Sequence, residues 1–71
     1  MGLKWQDAEE IAEVLAENHP GVDPLDVRFT DLRQWVSDLD EFDDEPAASN
    51  ESLLEAIQMA WHEIYQDENE G

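Results

Sequence analysis

Residues 30–46 read TDLRQWVSDLDEFDDEP, and they hold both the clearest helical pattern of the chain and the point where it stops. Leu32, Trp35, Val36 and Leu39 recur at i, i+3, i+4 and i+7, the spacing that lines apolar side chains along one face of an α-helix. Thr30 is a suitable N-cap, and Asp31 falls in the first turn, where the positive end of the helix dipole favours an anion. The pattern then gives way to Asp38, Asp40, Glu41, Asp43, Asp44 and Glu45, with no cation among them, before Pro46 closes the stretch. An amphipathic helix that runs into an acidic loop points to an all-α domain and raises the question of what the charge is for.

The flanking sequence supplies two more helices. Upstream, Ala8, Ile11, Val14 and Leu15 keep helical spacing behind a capping-box pair, Asp7 and Glu10, which predicts a helix from about Gln6 to Asn18. Its outer face carries Glu9, Glu13 and Glu17 at i, i+4 and i+8, and like charges at that spacing cost roughly a few tenths of a kcal/mol per pair. The segment NHPGVDPLDVR (18–28), with two prolines and a glycine, reads as a connector in which Asp23 and Pro24 start one short turn, with a brief extended piece at Val27–Phe29. Downstream, Ser49 or Asn50 caps a third helix whose inner stripe is Leu53, Leu54, Ile57, Trp61 and Ile64, and whose outer face carries Glu51, Glu55 and Glu63. The expected architecture is one small three-helix, all-α domain over residues 1–66, compatible with a helix-turn-helix or winged-helix-like arrangement, followed by a frayed acidic tail at 67–71.

Composition narrows the function more than the helices do. The chain has 71 residues, 20 acids against three cations (Lys4, Arg28 and Arg33), and a formal net charge of -17. A domain this small buries roughly 60% of its unfolded surface, so a large enclosed active site is not expected. Nucleic acid and anionic membranes are excluded as partners because the surface repels phosphate. Without cysteine the chain has no thiolate nucleophile, no disulfide and no sulfur ligand for zinc or a cluster. The N-terminus shows no basic region followed by an apolar run, and no apolar stretch approaches the roughly 20 residues that span a bilayer, so a cytoplasmic protein is expected. Acidity of this kind also suits organisms that keep high salt inside the cell, where it serves hydration.

For the acidic loop itself, three roles stay open: a solvated loop, a docking surface for a basic partner, and a metal site. An EF-hand starting at Asp38 fails, because Phe42 and Asp43 occupy the fifth and sixth positions, where an oxygen ligand and glycine belong, and Ser49 the twelfth, which calls for Glu. A looser carboxylate site for a hard cation or iron remains compatible. Asp38, Asp40 and Glu41 also follow a helix C-terminus, where the dipole disfavours anions, so stability alone does not account for them. His19 and His62 read as surface histidines, and Trp5, Trp35 and Trp61 as core. No P-loop, zinc motif or nucleophile–base pair appears, so an enzyme is not expected.

MGLKW at the start, VRFTDLRQWVSDLDEFDDEP in the middle and ASNESLLEAIQMAW near the end resemble the IscX family, small acidic proteins of bacterial iron-sulfur cluster assembly, over about residues 1–65. The resemblance implies a winged-helix-like adaptor, monomeric on its own, that docks on the cysteine desulfurase IscS in competition with bacterial frataxin and binds iron weakly through exposed carboxylates. On this chain the matching partner-binding acids are Asp31, Asp38, Asp40, Glu41, Asp43, Asp44 and Glu45. Asp38, Asp40, Glu41, Asp43 and Asp44 are the first candidates for iron, with Glu9, Glu13 and Glu17 as further ones. The alternatives are a nucleic-acid mimic that inhibits a basic protein, and a carboxylate metal buffer with no protein partner.

Overall fold

Three apolar stripes decide the architecture, each the buried side of one helix. In the computed structural model, which describes residues 2–69, α1 spans Ala8–Asn18, α2 Phe29–Ser37 and α3 Glu51–Asn69. One-turn 3-10 helices at Pro24–Asp26 and Pro46–Ala48 lie in the two connections. Ile11, Ala12, Leu15 and Ala16 from α1 meet Leu32 and Val36 from α2 and Leu54, Ile57 and Trp61 from α3, with Trp5, Val27 and Leu39 closing the edges. The largest interface joins α1 to α3, and α2 lies against both. Ile11, Leu15, Leu32, Val36 and Ile57 are fully buried, so each contributes about 1.5–3 kcal/mol of transfer free energy.

The all-α, three-helix class is therefore borne out. The same elements do not support the winged-helix-like detail: among the described residues the only β pairing is an isolated parallel bridge between Leu3 and Phe42. Leu53 and Ile64 are half-buried flanks of the α3 stripe, not its centre. α3 continues through Asn69, into the segment expected to fray, while Glu70 and Gly71 lie outside the described residues.

Helix ends differ from the expectation where side chains found other partners. α1 begins at Ala8, not Gln6, and Asp7 gives its helix no side-chain cap; its carboxylate instead accepts from the Lys4 N–H at 3.0 Å. The Asp7 N–H also bonds back to the Lys4 carbonyl, so this residue closes a tight turn ahead of the helix. Thr30 lies inside α2, because the Leu32 N–H already reaches the Arg28 carbonyl at 2.8 Å and starts the helix earlier. Asp23 does cap the Pro24 turn, accepting from the Leu25 N–H at 3.0 Å, and Asn50 caps α3, accepting from the Leu53 N–H at 2.9 Å.

The first connection turns at Gly21, whose φ of 83° is a left-handed conformation that glycine adopts without strain. That turn brings His19 onto Trp35, ring centroids 4.2 Å apart and nearly parallel, with Trp61 6.2 Å from the imidazole. His19 is thus half-buried between helices and not a free surface histidine. His62 is also half-covered, its Nδ1 buried without a hydrogen-bond partner among the described residues. Trp5 and Trp61 are core residues as expected, whereas Trp35 is half-buried under His19.

Candidate functional site

α2 ends at Ser37 because Asp38 takes the C-cap, its N–H still bonded to the Gln34 carbonyl while the chain turns away. Short bonds from Leu39 N–H to Val36 O and from Phe42 N–H to Leu39 O then coil residues 38–42 into successive turns. Leu39 and Phe42 point inward, Leu39 buried and Phe42 set edge-on against Trp5 with centroids 4.8 Å apart. The carboxylates between them are left outside.

The loop is not loose, because residues 3–5 are laced along it. Leu3 donates to the Glu41 carbonyl at 2.7 Å and accepts from the Asp43 N–H at 2.9 Å. The Trp5 N–H reaches Asp44 Oδ2 at 3.2 Å, and the buried indole donates from Nε1 to the Glu45 carbonyl at 2.6 Å. Lys4 Nζ donates to the Asp43 carbonyl and lies 3.6 Å from its carboxylate. Both side chains of that ion pair are well exposed, so the charge contact itself is worth about 0–1 kcal/mol, and the backbone bonds and Trp5 do most of the anchoring. Gly2 packs so closely that a Cβ placed there would lie 2.0 Å from the Cβ of Asp43.

This lacing sorts the acids. Asp44 is committed: its two oxygens accept from the N–H groups of Trp5 and Glu45, and these bonds, helped by Lys4, hold its carboxyl below the ordinary 3.8. Asp43 faces Lys4, and Asp38 accepts from the Gln34 side-chain amide at 3.0 and 3.1 Å. Asp40, Glu41 and Glu45 are exposed, and among the described residues their carboxylates make no hydrogen bond or ion pair. Arg33 donates to the Pro46 carbonyl at 3.2 Å, so two of the three cations are tied to the loop.

The remaining acids named from sequence lie on the helices and not in this loop. Asp31 is exposed on the first turn of α2, at the other end of that helix, about 10 Å along its axis from Asp38. Glu9, Glu13 and Glu17 are exposed along α1, spread over about 12 Å of helix. Among the described residues, no group of three or more His, Cys, Asp or Glu side chains converges as a metal would require. Sequence reading missed Leu3, Lys4 and Trp5 as parts of the site; the available signal was a tryptophan and one of only three cations standing together ahead of the first helix.

A family described as Iron-sulphur cluster assembly matches residues 3–66, which takes in the laced segment, the acidic loop and the three helices up to Gln66. The chain belongs to this family, the IscX family. The uncharacterized protein PA3808 of Pseudomonas aeruginosa is 57% identical over 63 residues, covering 89% of this chain and 96% of that protein. For an IscX-family chain the absence of cysteine has a direct consequence: it supplies none of the thiolates that usually hold an iron-sulfur cluster. Among the described residues no helix is long and apolar enough to cross a membrane.

Proposed function

We propose that this chain is a non-enzymatic adaptor of iron-sulfur cluster assembly, docking on a basic surface of the cysteine desulfurase IscS through the acidic loop. Asp40, Glu41 and Glu45 carry this reading: three uncommitted carboxylates on a backbone fixed from the other side by Leu3, Lys4 and Trp5. A loop ordered before the encounter loses little conformational entropy on binding, which favours affinity. Asp38 and Asp43 add field strength near the rim, and the net charge of -17 steers the approach. Asp44 acts as a fastener of the loop and is not a contact. Asp31 and the α1 acids contribute through the long-range field.

Iron, on this reading, is cargo held loosely by exposed carboxylates and not a resident cofactor, in keeping with the lack of a convergent ligand group among the described residues. Competition with bacterial frataxin follows if both proteins use the same basic patch. The role is that of a cytoplasmic modulator.

Titration calorimetry with IscS tests the docking. Affinity should fall about tenfold or more across a tenfold rise in ionic strength, and the triple variant Asp40→Asn, Glu41→Gln, Glu45→Gln should bind weakly at both salts. Affinity indifferent to salt would overturn the electrostatic reading. For iron, paramagnetic line broadening on adding ferrous ion should concentrate at residues 38–45; even broadening over every acid, removed by modest salt, would leave only a counterion atmosphere.

A further inference from the structure

α3 buries Leu54, Ile57 and Trp61 on one side, and the opposite side leaves a large apolar residue in water: Met59 is 51% exposed. Ser52, Glu55, Ala56 and Met59 line a shallow surface groove. Their spacing of i, i+3, i+4 and i+7 places them on one helical face, with Glu55 one turn before Met59 and Glu63 one turn after it. Two small side chains, Ser52 and Ala56, make room beside the thioether, and both glutamates are exposed. We propose that this face is a second docking surface, which takes a cationic protein segment carrying one apolar side chain.

Charge selects the occupant. On the Met59 side the helix carries Glu51, Glu55, Glu63 and Asp67, and from Glu51 to Asn69 it has neither lysine nor arginine, so its own residues set an apolar centre among anions. A second copy of this chain would bring another net charge of -17 against it, and nucleic acid or anionic lipid would be repelled likewise. A Lys- or Arg-bearing segment meets the anions of α3 with opposite charge, and its apolar side chain gives Met59 the cover it lacks; methionine adapts readily to such surfaces. The residues of this face, Ser52, Glu55, Ala56 and Met59, are not among those of the acidic loop, which is laced to residues 3–5.

The test uses the whole chain, isotope-labelled, and two synthetic peptides of equal length and lysine content, one with leucines on one helical face and one with serines in their place. The leucine peptide should shift the amides of Ser52, Glu55, Ala56 and Met59 first, and Met59→Ser should weaken it roughly fivefold while leaving the serine peptide unchanged. The double variant Glu55→Gln, Glu63→Gln should weaken both peptides. Met59 is half-exposed, so Met59→Ser should keep the fold, which an unchanged melting midpoint verifies. Equal affinity for the two peptides, or shifts spread evenly over the loop and the α1 acids, would overturn the proposal and leave only an ionic atmosphere. Because no desulfurase is present, the outcome stands apart from that of the loop-docking reading.

Discussion

Trp5→Phe is the most direct probe of what holds the acidic loop. Trp5 is 2% exposed, stands edge-on to Phe42, and its indole donates to the Glu45 carbonyl at 2.6 Å. Phenylalanine keeps a ring against Phe42 but removes the donor, leaving a partly buried carbonyl unpaired, which costs about 1 kcal/mol. The missing part of the indole leaves a void in a packed region and adds about 1–2 kcal/mol. The sum, about 2–3 kcal/mol, is a large part of the stability of a small domain, of order 5 kcal/mol. Urea denaturation followed by circular dichroism should show that loss. Hydrogen exchange should show where it falls: the amides of Leu3 and Asp43, bonded across the bridge, should lose protection well beyond those of Ile57 and Trp61. A loss below about 0.5 kcal/mol, or equal changes at the bridge and in α3, would refute the claim that Trp5 anchors the loop.

Asp44→Asn tests the same fastening through pH. Asp44 has its folded pKa lowered by the N–H groups of Trp5 and Glu45 and by Lys4, so its carboxylate adds stability above the unfolded value of 3.8 that is lost as pH falls through the lower folded value. The variant should therefore be less stable than the parent near neutral pH, and the gap should close in strong acid; a gap independent of pH would show that the charge of Asp44 does not matter. Gly2→Ala should push residues 2–3 away from Asp43, seen as lost exchange protection at the Asp43 amide with α1 and α3 unchanged. Asn50→Ala removes the acceptor for the Leu53 N–H and should cost about 1 kcal/mol in chemical denaturation, with Asn50→Gly milder.

What the sequence determined by itself is whatever depends on periodicity and charge. Helical spacing of Ile11 and Leu15, of Leu32 and Val36, and of Leu54, Ile57 and Trp61 is a local property, and the same residues form the core. The excess of carboxylates, the missing cysteines and the acidic stretch after α2 are facts of composition, and the segments that resemble the IscX family are contiguous in the sequence. Asp7 stands at the N-cap position of α1 but makes no capping bond, because a capping side chain has several donors within reach, and which one it takes depends on where the preceding segment runs. In Asp7 the competing donor was Lys4, and α2 simply began before Thr30.

Only the tertiary structure decided which acids are free. Along the chain the carboxylates of Asp43, Asp44 and Glu45 are equivalent neighbours, yet one faces Lys4, one is held by two N–H groups and one has no hydrogen bond or ion pair among the described residues. The difference arises because residues 3–5, some 40 positions away, return to lie along the loop, Trp5 and Glu45 being separated by 40 residues. No local pattern encodes that approach: its strength lies in backbone groups every residue possesses, and its location is set by where a buried tryptophan finds room beside Phe42. The exposure of Met59 has the same origin, since a helix whose stripe is apolar on one side gives no sign of which outward residue will be left uncovered until its neighbours are in place.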